Sequence, residues 1–415
     1  MSEVTPQQTF DLVISGGGAT GWSLLLSLQT MLPADKPLKV AFIDSFDPNK
    51  AQPHPGFDAR ALALSKQTLQ FFKTMGIADD IAKRGTAIKT IQVSDKGAAG
   101  QVRLHHSDYH ETELGMVMEA QDLGAVLLEC AERNLQEQAL SHIELVRLQP
   151  DKIQLAETRR DSIQITTESG HRLTTQLLVL AEGTQSSSKA FFNIDVTQKN
   201  YQQHAIIANV VTELPPNNTA FERFTASGPL AFLPMTEQRS GVVWSVASAD
   251  VEQLLALDDD NFIQQLQTQF GQRLGKIIKV GKRQSYPLNL LKSDDSFSHR
   301  VVCIGNAAQT LHPIAGQGFN LALRDAWQLA KCIANTVQQK QDIGAYQSLC
   351  QFKAERKQDQ QQTILLTDSL VHLFSNNNAL LRAGRNIGLL LMNNKQKLKD
   401  GFARIAMGQR SGAQL

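Results

Sequence analysis

Three glycines near the N-terminus have the spacing of a dinucleotide-binding turn. Gly16, Gly18 and Gly21 form a G-x-G-x-x-G motif directly after the apolar run Asp11–Ser15. The first glycine permits a tight turn, the second lets the backbone approach a pyrophosphate, and the third lets a helix pack on the strand. Asp44 ends the next apolar run, about 20 residues on, where an acid holds ribose hydroxyls. The pattern predicts dinucleotide binding without choosing between NAD and FAD.

A second glycine-containing segment follows the apolar run Val301–Ile304. It reads GNAAQTLHPIAGQGFN, from Gly305 to Asn320, and leads into a helical pattern. A backbone of this kind can lie against a flat or phosphorylated ligand, because glycine allows close approach. Its first polar side chain, Asn306, is neutral, and an amide can both donate and accept hydrogen bonds.

The elements that position these residues alternate between strands and helices. Asp11–Asp44 reads as strand, glycine turn, helix and strand, which is a βαβ unit. Residues 205–250 alternate as in an antiparallel sheet, and residues 345–410 are helical by pattern. We therefore predict an α/β (α+β) protein, in which a Rossmann-like domain is interleaved with an antiparallel-sheet domain and followed by a helical tail.

The bulk properties fit a folded protein of two or three domains. The chain has 415 residues, 42% of them hydrophobic, and a formal net charge of +1, so no global field favours nucleic acid. Its four cysteines are scattered, and no signal peptide or membrane span is predicted. We expect a cytoplasmic protein that contacts a membrane, if at all, from the surface.

Several segments spread along the chain carry a resemblance to a known family. They are HPGFDARALALS (54–65), FERFTASGPLAFLPM (221–235), LGKIIKVGKRQSYPL (274–288), GNAAQTLHPIAGQGFN (305–320), TDSLVHLF (367–374) and GRNIGLL (384–390). In this order they resemble the single-component, FAD-dependent aromatic hydroxylases of the para-hydroxybenzoate hydroxylase fold. Within that group they resemble the ubiquinone-biosynthesis hydroxylases.

The resemblance implies cofactor contacts at particular positions. The ADP half of FAD would be held by Gly16, Gly18, Gly21 and Asp44. Arg60 would reach the FAD pyrophosphate or the passing nicotinamide cofactor; the alternative is a surface arginine near a helix start. Gln121 is either a flavin contact or a helix cap. Glu182-Gly183 stands where the family usually has Asp-Gly, so a direct contact by the longer glutamate is in question.

The same resemblance makes residues 305–320 the loop along the flavin. After Gly305, Asn306 stands at a position that is commonly Asp and contacts the ribityl chain. The cofactor contacts would continue through Gly316, Gly318, Phe319 and Asn320, and the catalytic positions would be Pro313, Gly316, Gln317 and Gly318. Pro313 would form an apolar wall, and His312 is interpreted as a structural residue rather than a base.

The implied activity is an aromatic hydroxylation with two co-substrates. NAD(P)H would reduce FAD, and O2 would then form a C4a-hydroperoxide that hydroxylates a 2-polyprenyl-6-methoxyphenol to the 1,4-benzoquinol. Two alternatives stay open: another FAD monooxygenase or reductase of the superfamily, and a flavin-bound scaffold of a quinone-biosynthesis complex. Substrate-stimulated oxidation of NAD(P)H would separate them.

The domain boundaries follow from the same order of segments. Residues 1–86, 116–190 and 285–344 are predicted to form the FAD-binding domain, 87–115 and 191–284 the substrate domain, and 345–415 the helical region. Aromatic and apolar residues of the substrate sheet either line a pocket or form its core; they are Phe221, Phe224, Phe232, Leu233, Pro234 and Trp244.

Two further patterns concern metals and partners. The H-x3-H pair His106 and His110 lacks a third ligand, so no metal site is predicted. In the tail, Leu398, Phe402 and Ile405 share one helical face among basic residues, Lys395, Lys397, Lys399, Arg404 and Arg410. This helix either lies on an anionic membrane or packs on its own domain or a partner. A homo-oligomer and membership of a ubiquinone-biosynthesis complex are also open.

Overall fold

The computed structural model describes residues 7–47, 54, 58–136, 142–293, 295–374 and 379–409. Its strands are β1 (Gln8–Ser15), β2 (Leu38–Ile43), β3 (Ala61–Ser65), β4 (Thr86–Ile88), β5 (Thr90–Asp95), β6 (Gln101–His105), β7 (Gly115–Glu119), β8 (Ile143–Leu148), β9 (Ile153–Thr158), β10 (Ile163–Thr167), β11 (Arg172–Leu180), β12 (Val196–Thr212), β13 (Thr219–Thr225), β14 (Gly228–Pro234), β15 (Arg239–Ala247), β16 (Ile277–Val280), β17 (Gln284–Ser293), β18 (Phe297–Ser298), β19 (Val301–Cys303) and β20 (Gln309–Thr310). Its α-helices are α1 (Ala19–Met31), α2 (Lys66–Thr74), α3 (Ala78–Arg84), α4 (Ala120–Gln136), α5 (Val251–Ala256), α6 (Asp259–Phe270), α7 (Gln317–Gln338), α8 (Tyr346–Phe374), α9 (Ala379–Asn394) and α10 (Gln396–Ala406).

The first sheet carries the predicted dinucleotide motif. Its main path runs β18-β19-β11-β1-β2-β8, and β1 pairs in parallel with both β2 and β11. Most residues of β1 and β2 are buried on both faces, which is why they read as near-continuous apolar runs. The helices α1 and α7 contribute Leu24, Leu28 and Leu323 to the core beneath this sheet. The predicted βαβ unit is confirmed.

The second sheet is largely antiparallel, as predicted. Its first strand in chain order, β5, lies before the alternating residues 205–250. Its path is β20-β17-β12-β15-β14-β13-β5-β6, with β16 also paired to β12. The one parallel pair on this path joins β13 to β5. Its outer face packs against α6, where Phe232 stacks on Phe270 with ring centroids 3.7 Å apart. Phe221, Phe232 and Trp244 belong to that core, so their interpretation as sheet core is confirmed.

A small third sheet lies between the two large ones. Its strands run in the order β3-β7-β4, and both pairs are antiparallel. Ala61 of β3 packs against the second sheet, because a Cβ added at Gly241 of β15 would collide with the Ala61 side chain. The sequence pattern did not predict β3, since ALALS alternates apolar residues only with other small or apolar ones.

The C-terminal helices pack on the rest of the protein. Ala403 and Met407, at the end of α10, are buried in a cluster with Val102 and Leu104 of β6. Lys399 donates to Asp108 at 3.2 Å, whereas Leu398 is 54% exposed. α10 therefore packs on the rest of the protein, which is one of the alternatives for the tail. Leu398 of its predicted apolar face is exposed. Arg410 lies outside the described residues. Within the described part of the chain, no helix is long and apolar enough to cross a bilayer.

Candidate active site

The N-terminal glycine turn leaves one of its three glycine positions open. Gly16 has a φ of +117°, and a Cβ there would overlap the main chain of Ala181. A Cβ at Gly21 would collide with the carbonyl oxygen of Gly16, so these two positions serve the packing of α1 on β1. Among the described residues, the nearest atom to a Cβ added at Gly18 is 4.0 Å away, on His54. The space over Gly18 is therefore available to a ligand.

The N-terminus of α1, the helix that follows this turn, has no capping or acidic side chain that would compete with a ligand for its N–H groups. Gly18 is the N-cap of α1, no side chain caps it, and its first turn contains no acid. The first N–H groups of a helix lack intrahelical acceptors and carry a partial positive charge, which favours a phosphate. This end of α1 fits the pyrophosphate of a dinucleotide.

Asp44 stands at the end of β2 and is tied to the glycine turn. Its Oδ2 accepts a hydrogen bond from the Gly17 N–H, and its Oδ1 accepts one from the Phe46 N–H at 2.6 Å. Burial on its own raises the pKa of this carboxyl, but hydrogen bonds from His54, Phe46 and Gly17 outweigh it and hold the pKa below its usual value. Asp44 is thus an ionised acceptor beside the turn, where a ribose hydroxyl could bind.

Arg60 is held by two residues that the sequence analysis did not single out. Its Nε lies 3.3 Å from Asp58 Oδ1, and its guanidinium lies 5.9 Å from the ring centroid of Tyr286. The Tyr286 hydroxyl donates to Asp58 Oδ2 at 2.8 Å, which links β17 to the segment before β3. The side chain of Gln121 donates to Glu119 at 2.6 Å rather than closing the helix end.

The carboxylate of Glu182 is bound by three hydroxyl groups. Ser15, Ser186 and Ser188 donate to it at 2.5, 2.7 and 2.7 Å. These bonds join the end of β1 to the segment after β11, so the side chain fixes the base of the glycine turn. Gly183 has a φ of +80° and nothing within 4 Å of an added Cβ.

The turn after β19 lies against the first turn of α1. Gly305 has a φ of +60°, and a Cβ there would lie 2.8 Å from Thr20 Oγ1. The following residue, Asn306, is exposed, and its side chain makes no hydrogen bond to any residue that the structure describes. The structure thus brings the Gly305 turn to the Gly16–Gly21 turn, with the Asn306 amide free to bind a ligand.

The second glycine segment is fixed by Asn320. The Asn320 Oδ1 accepts from the Ser65 N–H at 2.8 Å and from the Thr68 hydroxyl at 2.7 Å. Its Nδ2 donates to the carbonyl oxygens of Ala63 at 2.8 Å and Gly316 at 2.7 Å. All four bonds go to the protein, so Asn320 positions the loop relative to β3.

The start of α7 repeats the features of the start of α1. Gly316 is the N-cap with a φ of +61°, no side chain caps the helix, and its first turn contains no acid. An added Cβ at Gly316 would lie 2.8 Å from that of Ala63, whereas one at Gly318 meets nothing within 4 Å. Phe319 packs against the main core. A second uncapped helix end with an open glycine therefore lies beside β3.

His312 is buried next to this loop and is uncharged near neutral pH. Burial lowers its pKa to about 4. Its Nδ1 accepts from the Ile314 N–H at 3.3 Å, and its ring meets that of Tyr201 edge to face. The contact with Ile314 shapes the turn that contains the half-buried Pro313, which supports the structural interpretation of His312.

These residues fit FAD. Two uncapped helix ends, each with an open glycine, and an ionised acid at the end of β2 match the pyrophosphate, ring and ribose parts of a flavin dinucleotide. Among the described residues, no group of three or more His, Cys, Asp or Glu side chains could hold a metal ion.

Comparison with known proteins gives the same class. A family model for the FAD binding domain matches residues 9–365. Ubiquinone hydroxylase UbiL of Rhodospirillum rubrum is 32% identical over 399 residues, which cover 96% of this chain and 89% of that protein. The mitochondrial ubiquinone biosynthesis monooxygenase COQ6 of Dictyostelium discoideum is 25% identical, over 98% of this chain and 93% of that protein.

Solved structures share the fold at low sequence identity. The p-nitrophenol 4-monooxygenase PnpA from Pseudomonas putida DLL-E4 superimposes with a TM-score of 0.79 at 14% identity, covering 98% of this chain and all of that one. PqsL of Pseudomonas aeruginosa in complex with 2-aminobenzoylacetate superimposes with a TM-score of 0.72 at 19% identity, covering 92% of this chain and 99% of that one.

The fold and the site thus define an FAD-dependent hydroxylase. The chain belongs to the FAD binding domain family, and within it to the FAD-dependent hydroxylases of ubiquinone biosynthesis. The predicted family, fold class and enzyme class are confirmed.

Proposed function

We propose that the protein is an FAD-dependent, NAD(P)H-using monooxygenase that hydroxylates a polyprenylated methoxyphenol in ubiquinone biosynthesis. The observation that carries the proposal is the pair of uncapped helix ends, at Gly18 and Gly316, each with open space at a glycine, together with the ionised Asp44 at the end of β2. The substrate class comes from the relatives, which are named ubiquinone hydroxylase and ubiquinone biosynthesis monooxygenase.

The contacts proposed for FAD follow the sequence prediction. The ADP half lies on Gly16, Gly18 and Gly21 with Asp44 at the ribose, and Asn306 contacts the ribityl chain. The remaining contacts are Arg60, Gln121, Glu182, Gly183, Gly305, Gly316, Gly318, Phe319 and Asn320. For Gln121, Glu182 and Asn320, whose side chains are bonded to protein, the role we propose is to position the backbone that meets the cofactor.

The catalytic contribution of the chain is to orient and to exclude water. Bound FAD supplies the redox chemistry, with NAD(P)H as reductant and O2 as the source of oxygen. The α7 N-terminus would stabilise negative charge on the ring, and the catalytic positions Pro313, Gly316, Gln317 and Gly318 would form the wall that excludes water. The nicotinamide cofactor would bind transiently beside Arg60.

The decisive test is turnover with a defined phenol. Purified protein loaded with FAD should oxidise NAD(P)H faster when 2-octaprenyl-6-methoxyphenol is present and release the 1,4-benzoquinol, identified by mass spectrometry. Deletion of the gene should cause the same methoxyphenol to accumulate. Accumulation of a different precursor would favour another FAD monooxygenase or reductase of the superfamily. A yellow protein that never oxidises NAD(P)H with substrate present would favour a scaffold.

We also propose a division of the chain into domains, and then a peripheral contact of the α9–α10 corner with a membrane. Residues 1–86, 116–190 and 285–344 would form the FAD-binding domain, 87–115 and 191–284 the substrate domain, and 345–415 the helical region. In this division β17 extends from the FAD-binding domain into the sheet of the substrate domain, where it pairs with β12. Near the α9–α10 corner Leu390, Leu391 and Leu398 are exposed beside Lys395 and Lys397, a combination that suits an anionic bilayer. Binding to anionic liposomes should fall when the three leucines are changed to serine; unchanged sedimentation would favour contact with a protein partner or a second copy.

A further inference from the structure

Glu222 is an acid in the middle of the second sheet, and the alternation of β13 fixes the face on which it lies. Phe221 meets Phe270 of α6 with ring centroids 5.6 Å apart, and the Arg223 Nε donates to the Gln269 carbonyl oxygen at 2.9 Å. Residues 221 and 223 therefore face α6. Because successive side chains of a strand point to opposite faces, Glu222 faces the other way.

That other face is the one that meets β3 and the loop before α7. Ala220, two residues before Glu222, clusters with Ala61 of β3. Phe224, two residues after it, clusters with Ile314 of the loop. Glu222 consequently lies between the two features that border the α7 end of the proposed flavin site.

The residues level with Glu222 form a strip of incompletely covered surface. Its cross-strand neighbour is Ala231, followed by Val243 and then Ile207. All four are half-buried, whereas Phe221, Phe232 and Val242, one position along, are buried. The strip is small and apolar except for the one carboxyl group, as expected for the floor of a pocket that holds an apolar ring.

Within the described part of the chain, the Glu222 carboxylate has no hydrogen-bonding partner. No residue that the structure describes donates a hydrogen bond to it, and burial raises its pKa to about 7. Among the described residues, charged groups on this face are engaged elsewhere: Asp95 with Arg385 at 3.1 Å, Asp368 with Lys199 at 2.8 Å, and Arg239 with Glu119 at 3.3 Å. The nearby His312 is uncharged at neutral pH. A half-buried carboxyl that has no partner within the described part of the protein is available to a polar group of a ligand.

We propose that Glu222 is the polar anchor of the substrate pocket and the base for the phenolic hydroxyl group. This inference rests on the proposed function, since it assumes a phenol as substrate. The phenol O–H bond breaks, its proton passes to a Glu222 carboxylate oxygen, and the electron pair stays on the phenol oxygen and makes the ring more nucleophilic. Once the ring has received the oxygen atom that bound FAD would supply from O2, the hydroxylated carbon loses its proton to solvent. The phenol oxygen then takes back the proton from Glu222, so the carboxylate is regenerated.

The raised pKa matches this task. A base whose pKa lies near the working pH combines a usable ionised fraction with a useful affinity for the proton. The parent enzyme should therefore lose kcat/KM as the pH falls through about 7, because the protonated acid can no longer accept the phenol proton.

The test compares Glu222→Gln with Glu252→Gln, a matched change at an exposed acid of α5. Both proteins should retain FAD and its reduction by NAD(P)H. With a 2-methoxy-6-alkylphenol as the probe, kcat/KM for hydroxylation should fall on the order of 10²-fold or more in Glu222→Gln and be unchanged in the control. The acid limb near pH 7 should disappear in Glu222→Gln, and a ring-fluorinated probe of lower phenol pKa should lose less.

The outcomes separate this inference from the proposed function. If the parent hydroxylates the probe and Glu222→Gln does so equally well with the same pH profile, Glu222 is not the base. If the parent makes no hydroxylated product and Glu222→Gln binds the phenol as tightly as the parent, measured by the change in flavin absorbance, both proposals are overturned. Loss of FAD or of folding in Glu222→Gln is checked with Glu222→Asp, which should recover part of the activity if the carboxylate is the working group.

Discussion

The Asn320 side chain donates a hydrogen bond to the Gly316 carbonyl oxygen at 2.7 Å, so the first turn of α7 holds the glycine that precedes it. The same amide group bonds to Ala63, and the amide oxygen bonds to Ser65 and Thr68. One side chain thereby fixes the glycine loop against β3. The geometry of the loop depends on a residue that need not touch the cofactor.

Replacing Asn320 by Ala should destabilise the protein and weaken FAD binding together. The change removes four hydrogen bonds and leaves buried backbone groups without partners, which should lower the free energy of unfolding by about 2–4 kcal/mol. Urea unfolding with and without FAD measures both effects. Asn335→Ala, at an exposed position of the same helix, is the control. An equal loss of stability and FAD affinity in Asn335→Ala would show that the four Asn320 hydrogen bonds do not fix the loop.

The glycine turn predicts opposite outcomes for two similar substitutions. Gly18→Ala adds a methyl group to open space at an ordinary φ of −76°, so the stability of the apoprotein should change by less than about 1 kcal/mol. FAD affinity should nevertheless fall, because the methyl group occupies the pyrophosphate approach. Gly21→Ala should unfold the apoprotein more easily, since its Cβ collides with the Gly16 carbonyl. Fluorescence titration with FAD and thermal unfolding distinguish the two; normal FAD affinity in Gly18→Ala would contradict the assignment.

The exposed amide of Asn306 offers a test of the ribityl contact. Asn306→Leu should bind FAD at least tenfold more weakly, with the apoprotein stability changed by less than about 0.5 kcal/mol, because the side chain is at the surface. Asn306→Asp should retain binding, since it keeps a hydrogen-bond acceptor. Isothermal titration of the apoprotein with FAD gives the affinities. Undiminished binding by Asn306→Leu would show that this residue does not hold the cofactor.

The sequence predicted the local parts of the site better than the contacts between distant segments. The Gly16–Gly21 turn is encoded by neighbours in the chain, so its spacing and the following apolar helix were enough to predict it. The strand β3 was missed because its stability comes from pairing with β7, about fifty residues away. The face of Glu222 could not be assigned either, since it depends on which side of the sheet α6 covers. The contact of Tyr286 with Asp58 and Arg60 depends on the position of β17 in the second sheet, where β17 pairs with β12.

A buried ion-pair cluster joins α7 to α8 and should dominate the stability of that interface. Arg356 Nε lies 2.7 Å from Asp325 Oδ1, and Arg324 Nε lies 2.8 Å from Asp359 Oδ2. Arg356→Met would leave the buried Asp325 without its paired cation, while Asp359 keeps Arg324, and the loss should cost about 3–5 kcal/mol of unfolding free energy. Arg159→Met removes the exposed pair with Glu157 and should cost at most about 1 kcal/mol. Chemical unfolding of both variants measures the contrast, and similar losses would mean that burial does not set the strength of the cluster.

Buried His312 should make stability depend on pH below neutrality. Its pKa is about 4 in the folded protein and near 6.5 when the chain is unfolded, so the unfolded state binds more protons between these values. Stability from this group is therefore complete above pH 6.5 and is lost as the pH falls to 4, by about 3 kcal/mol in all. His312→Gln keeps an acceptor for the Ile314 N–H and removes the titration, so its unfolding free energy should vary less over that range. Parallel curves for the parent and His312→Gln would show that this histidine is accessible to protons in the folded state.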